Sequence, residues 1–310
     1  MFWNLYLPLA GNSINILLLF GLGGAVGFLS GVFGVGGGFL MTPLLIMVGI
    51  PSTVAAASDS NQIVAASTSA SYAHYRLGNV DFKMGLILVM GGVLGGTVGV
   101  QFIKQLRAMG NADFVIKITY VVMLGVIGFY MFMESLQSMR QNPVESVRVE
   151  APAKVSLYNR MIQALPYQMK FEKSGVTLSP ILPLVLGVFV GILAAIMGVG
   201  GGFIMVPVMV YMLRMPMHVV VGTSLVQILF TCINVTIMQS VSNHTVDMIL
   251  AIILLLGSTL GAQFGVRLSR RLKADQLKIL LASIVLLVMV QMLVSLVLPP
   301  HLLLAPKGGH

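Results

Sequence analysis

Charged residues are scarce in this chain: Asp, Glu, Lys and Arg together fill 9% of its 310 positions, where a soluble globular domain carries about a quarter. That scarcity excludes a soluble enzyme on a small anchor and puts nearly the whole chain in lipid. Cysteine occurs once, as Cys232, which excludes an internal disulfide and any paired-cysteine redox or zinc arrangement. Enzyme signatures are missing too: there is no HExxH, no GxSxG, no Walker A sequence, and no cluster of His, Cys and carboxylates at ligand spacing. No catalytic residue, metal or cofactor is therefore expected. Met1 to Asn15 contains no Lys or Arg, and with no small-x-small cleavage pattern after it a removable signal peptide is not expected. The excess of 18 Lys+Arg over 9 Asp+Glu would suit nucleic acid in a soluble protein. Here the basic residues lie between apolar runs, the pattern that sets orientation toward the cytoplasm, and nucleic acid is not an expected partner.

Apolar side chains are what the chain has in plenty, at 57% and a mean hydropathy of +0.97. Runs bounded by charges or proline fall at 14–48, 54–75, 82–103, 114–136, 180–213, 217–240, 247–266 and 277–298. Helix is the conformation that satisfies backbone polar groups within such runs in lipid, so the expected fold class is an all-α polytopic membrane protein. Six runs have the length of one crossing. The first and fifth, at about 35 residues, would reach roughly 50 Å against a hydrocarbon layer of about 30 Å, so each must break or fold back. From Gln137 to Leu178 the composition changes, with nine charges and Pro143, Pro152 and Pro166. This 137–178 stretch is read as a polar linker, in which Val144 to Val149 and Tyr167 to Lys173 can pair as a small hairpin or lie on the membrane surface.

A repeat organises the rest. Gly34-Val-Gly-Gly-Gly-Phe-Leu-Met-Thr-Pro43 returns as Gly198-Val-Gly-Gly-Gly-Phe-Ile-Met-Val-Pro207, an offset of 164. The match continues through Pro51 and Pro216, Gln62 and Gln227, Asp81 and Asp247, and Gly91, Gly95 and Gly99 against Gly257, Gly261 and Gly265, the offset drifting only to 166. The chain thus reads as two homologous units of four apolar runs, 14–136 and 179–298, on either side of the linker, a common construction of secondary transporters. Lys104 and Arg107 follow the third run, and Arg267, Arg270, Arg271 and Lys273 the seventh. Placing both clusters in the cytoplasm favours a parallel repeat; five crossings per unit would invert it.

The first run of each unit is expected to break at GVGGG, because each Gly costs about 1 kcal/mol and an internal Pro about 3 in a helix. A half-helix restarting near Phe39 or Phe203 would turn bare N–H groups and a positive dipole end toward a wet cavity, which suits a small anion. Close helix packing is the other reading, since Gly23, Gly27, Gly31 and Gly187, Gly191, Ala195 keep small-x3-small spacing. The second run is rich in hydroxyls and amides, as is its counterpart with Thr223, Ser224, Gln227, Thr231 and Asn234. Such a density either lines a hydrated route or ties helices together. Asp59 lies deep enough in a span to be a functional candidate. It either titrates and couples proton movement or caps a helix start near the surface. Asp81 and Asp247, where the third and seventh runs begin, are read as helix caps, and His74, Tyr75 and Arg76 as interfacial anchors or a vestibule for anions.

The duplicated G-V-G-G-G-[FI]-[LIM]-x-x-P signature resembles that of the sulfite exporter TauE/SafE family of permeases. Val219 to Leu225, reading V-V-V-G-T-S-L, and the glycine runs at 91–99 and 257–265 extend the resemblance over nearly all the chain outside the linker and ends. The first copy departs from V-G-T-S-L, reading Ala55-Ala-Ala-Ser-Asp-Ser60, which makes Asp59 the natural source of asymmetry between the halves. The resemblance implies a multi-pass transporter of the inner (plasma) membrane for small anions, often sulfur-containing ones such as sulfite, sulfoacetate or other organosulfonates. The site is expected between the repeats. It would be built from Gly34, Gly36, Gly37, Gly38, Gly198, Gly200, Gly201 and Gly202, with Gln62, Gln227, Thr223, Ser224 and Asn234 as donors and Asp59 as a proton-coupling or gating group. The partners are then the lipid bilayer, the anion and a coupling proton or cation; an oligomer is compatible with this. The rival reading is a non-transporting assembly factor or sensor working through the linker.

Overall fold

The computed structural model describes residues 4–33, 38–140, 167–269 and 274–297. Ten α-helices account for most of them: α1 (Ile16–Phe33), α2 (Gly38–Met47), α3 (Ser52–Arg76), α4 (Phe82–Ala108), α5 (Ala112–Arg140), α6 (Ile181–Met197), α7 (Gly202–Pro207), α8 (Met217–Met238), α9 (Met248–Ser269) and α10 (Ala274–Val297). Short π-helical turns, Val208–Met212 and Gln239–Asn243, extend α7 and α8. Four helical segments are long and apolar enough to cross a membrane: Phe82–Ala108, Ala112–Tyr130, Val219–Asn243 and Met248–Gly265. The second run is helical over 25 residues as α3, but its hydroxyls and amides keep it out of that set. It is instead buried among other helices along much of its length.

Asp81 and Asp247 start α4 and α9. Asp81 Oδ1 accepts from Met84 N at 3.2 Å, and Asp247 Oδ1 accepts from Ile249 N and Leu250 N at 3.1 Å, so each carboxylate satisfies N–H groups that a helix start leaves bare.

Small residues decide which helices pair. A Cβ on Gly23 or Gly27 would meet the backbone of Leu254 or Ser258, and one on Gly187 or Gly191 would meet the backbone of Leu88 or Gly92. α1 therefore lies backbone to backbone along α9, and α6 along α4. The contact positions rise together in both pairs, so each pair is parallel. α3 and α8 pack between them and run antiparallel. Asn79, just past α3, touches Gly222 near the start of α8, whereas Ser58 near the start of α3 accepts from Asp247 N, just past α8. α4 follows α8, from Gly85 beside Thr223 to Gly96 beside Val235. α9 follows α3, from Asp247 at Ser58 to Ser258 at Gln62. Consequently α4 and α9 run in opposite directions.

Two antiparallel hairpins precede α1 and α6. β1 (Asn4–Leu7) pairs with β2 (Asn12–Asn15), and β3 (Met169–Phe171) pairs with β4 (Val176–Leu178). Their turns match, with Gly11 N donating to Leu7 O at 3.0 Å and Gly175 N to Phe171 O at 2.8 Å. Both glycines have a φ of 66°. The expected linker therefore ends in a hairpin whose strands are both closer to α6 than anticipated, while α5 runs on to Arg140. Residues 141–166, including Val144 to Val149, lie outside the described residues.

Candidate functional site

The fifth apolar run is interrupted by its glycines. α6 stops at Met197, and Gly198, Gly200 and Gly201 take φ values of 75°, 69° and 77° before α7 begins at Gly202. This left-handed conformation costs an L-residue roughly 1–2 kcal/mol at each position, and glycine avoids that cost. Space imposes the same choice. A Cβ on Gly198 would collide with the backbone of Ala56 in α3, and one on Gly200 would sit 2.5 Å from Cys232 Sγ in α8. The break is thus held between α3 and α8 at the centre of the molecule. In the first run α1 ends at Phe33 and α2 begins at Gly38. Gly34, Gly36 and Gly37 lie outside the described residues.

The two restarted helices meet. Phe39 and Phe203, equivalent under the 164-residue offset, stack with ring centroids 4.5 Å apart and planes 14° from parallel. Gly38 and Gly202 precede them, both buried. Like the first N–H groups of any helix, those of Gly202 and Phe203 have no partner inside the helix. At the other end of the break, side chains satisfy the carbonyls that α6 leaves open. Tyr120 of α5 donates its hydroxyl to Met197 O, and the one hydroxyl hydrogen of Ser60 is shared between Gly198 O at 3.2 Å and Ala56 O at 3.1 Å.

Gln62 on α3 and Gln227 on α8 are both buried, and each precedes an isoleucine, Ile63 or Ile228, that borders Gly200. Gln62 Nε2 donates to Ser258 Oγ of α9 at 2.7 Å, and Gln227 Nε2 donates to Thr231 Oγ1 of its own helix at 3.0 Å. In each the amide oxygen, Oε1, is buried without a partner. The difference between the two follows from the repeat. Ser258 corresponds to Gly92, which lies against Gln227 and Thr231, and Thr231 corresponds to Ala66. Each glutamine finds one hydroxyl, supplied across the helix pair in one half and along the helix in the other. Each Nε2 keeps a second hydrogen that can go to an anion, and a turn of the amide would present both. Thr231 can donate to Oε1 after such a turn, and Ser258 can do so by giving up its bond to Leu255 O.

The remaining expected donors are used within the protein. Thr223 Oγ1 accepts from Asp81 N at 3.1 Å, Ser224 Oγ donates to Val221 O at 3.1 Å, and Asn234 Nδ2 donates to Val93 O and Thr97 Oγ1 at 3.1 Å each. Thr223, through its oxygen, and Asn234 tie α8 to α4 and its cap, while the Ser224 bond stays within α8. Asp59 is fully buried beside the start of α2, where Thr42 Oγ1 donates to its Oδ2 at 2.8 Å. Oδ2 lies 3.5 Å from where a Cβ on Gly38 would stand. Thr42, Tyr120 and Ser258 were not marked by sequence reasoning. Ser258 alone carried a signal, as the hydroxyl beside Gly257 in a glycine run whose other copy has Gly92.

Comparison with known proteins identifies the family. The family model for the sulfite exporter TauE/SafE matches residues 19–292. A probable membrane transporter protein of Bacillus subtilis, YjnA, is 27% identical over 277 residues, covering 88% of this chain and 97% of that protein. Probable membrane transporter protein MJ0441 of Methanocaldococcus jannaschii is 21% identical over 285 residues, covering 86% and 91%. Sulfite exporter TauE/SafE family protein 1 of Arabidopsis thaliana is 30% identical over 114 residues, covering 36% of this chain and 25% of that protein. No solved structure matches.

Proposed function

Since this chain belongs to the TauE/SafE family of membrane transporters, we propose that it exports small anions, sulfite or organosulfonates among them, across the inner membrane by alternating access between two inverted repeats. The observation that carries the reading is the left-handed glycine break at 198–201, held beside the stacked Phe39 and Phe203, where Ile63 and Ile228 border Gly200 and each follows a buried glutamine with an unsatisfied atom. Bare amides at a helix restart favour negative charge, and irregular backbone at membrane depth is tolerated where it is buried in protein or lines a cavity.

Exchanged contacts support the two-fold relation. Asp81 N of the first unit donates to Thr223 Oγ1 of the second, and Asp247 N of the second donates to Ser58 Oγ of the first, where Ser58 and Thr223 are equivalent. Because the equivalent helices α4 and α9 run oppositely, these contacts favour an inverted repeat over the parallel one that the charge clusters suggested. Arg107 explains why those clusters mislead: its Nη1 donates to Asn243 O at 2.8 Å, so it closes the end of the α8 helix rather than reporting a membrane side. With the ends reassigned, Arg76, Lys83, Lys173 and the end of α9 at Arg267 share one side, which favours a cytoplasmic placement of that side.

Purified protein in liposomes is expected to move labelled sulfite, and Gln227→Ala to slow that movement about tenfold or more while insertion and folding persist. Unaltered transport by the variant would remove Gln227 from the site.

A further inference from the structure

Asp59 and its neighbours have no equivalent in the second unit, where Ser224 and Val206 stand in place of Asp59 and Thr42. The carboxyl is fully buried, with Thr42 on Oδ2 and no partner on Oδ1. The ionisable groups facing it are Tyr120 of α5 and Cys232 of α8. Tyr120 is committed to Met197 O. α2 and α6 carry no ionisable residue, and the one on α9, Arg267, belongs to the end of that helix away from Ser58. Among the described residues, then, no cation neutralises an ionised Asp59. An uncompensated buried charge is far costlier than a buried neutral polar group.

A metal cation would need a shell of oxygens. The oxygens on hand are those of Asp59 and Thr42 with the Met197 and Gly198 carbonyls, of which Met197 O already accepts from Tyr120, and they fall short of such a shell. A proton needs only one oxygen, and Oδ1 is free to take it.

The position of the carboxyl gives that proton a consequence. Oδ2 lies beside Gly38 at the positive end of α2, so an ionised Asp59 is itself an anion at the place where a transported anion would sit. We propose that Asp59 carries a transported proton: its carboxyl is neutral while the substrate anion is bound and releases the proton when the anion leaves, so that the two move together. The step is an acid dissociation, with the O–H bond broken, the electron pair left on Oδ1 and the proton passed to water. For a monovalent anion the cycle is electroneutral, so export is driven by the anion's own outward gradient, which carries the proton out with it, and not by the membrane potential. This inference rests on the anion-transport reading above.

The test uses proteoliposomes and labelled methanesulfonate, whose sulfonate holds no proton of its own near neutral pH, together with labelled sulfite. The intact protein should accumulate methanesulfonate on the alkaline side of an imposed pH gradient. Asp59→Asn should lower that accumulation about tenfold or more, while exchange of label persists and loses its pH dependence. Infrared difference spectra should show a neutral carboxyl band that is lost on anion release and absent from Asp59→Asn. If accumulation by the intact protein follows a sodium gradient rather than the pH gradient, or if Asp59→Asn accumulates as the intact protein does, the proposal is overturned while transport stands. If the intact protein exchanges neither anion, the transport reading itself fails.

Discussion

Gln62 and Gln227, equivalent by sequence offset, are held by different residues. Both amides are buried and need a hydroxyl, which comes from Ser258 in one case and Thr231 in the other. Ser258→Ala should therefore strand the Gln62 amide and lower stability by about 1–3 kcal/mol, measured as the thermal midpoint in detergent. Adding Ala66→Thr copies the arrangement of the other half and should recover most of the loss. If Ala66→Thr has the same effect with and without Ser258→Ala, the two hydroxyls do not substitute for one another. The need for glycine at the break was legible in the sequence because three consecutive glycines are costly within a helix. Thr42 and Tyr120, the partners of Asp59 and Met197, were not, since no spacing or motif marks them and they meet their partners only through helix packing.

At the scale of elements, the runs predicted which segments are helical, because hydropathy reports burial in lipid without knowledge of neighbours. It does not report where short strands pair, and the hairpins show the limit. The second docks on the first unit through Ser174, whose N and Oγ both donate to Asp81 Oδ2, at 3.1 and 2.6 Å, with Lys173 Nζ donating to Gly78 O at 3.2 Å. The residue equivalent to Ser174 in the first hairpin is Ala10, which is buried, and the equivalent carboxyl oxygen, Asp247 Oδ2, is buried without a partner. Ala10→Ser should supply that partner and raise stability by about 1 kcal/mol, again read from the thermal midpoint. A neutral or destabilising result would mean that the first hairpin does not sit on Asp247 as the second sits on Asp81.

For the whole molecule, the proposed inverted repeat has a direct chemical consequence. Leu77, in the α3–α4 loop, and His244, in the α8–α9 loop, are both exposed, and an inverted repeat puts them on opposite faces of the membrane. Cys232 is buried, so single Leu77→Cys and His244→Cys variants should label with a membrane-impermeant maleimide from opposite sides of sealed vesicles; labelling from one side would restore the parallel arrangement. The anion site between the units is tested most directly by a crystal structure with selenite, a selenium analogue of sulfite located by its anomalous scattering. The account predicts a peak beside the Gly200–Gly202 turn, within reach of Gln62 or Gln227 and close to the Phe39–Phe203 stack. A selenium peak only on the outer surface, with the glycine turns unaltered and unoccupied in crystals soaked to saturation, would contradict it.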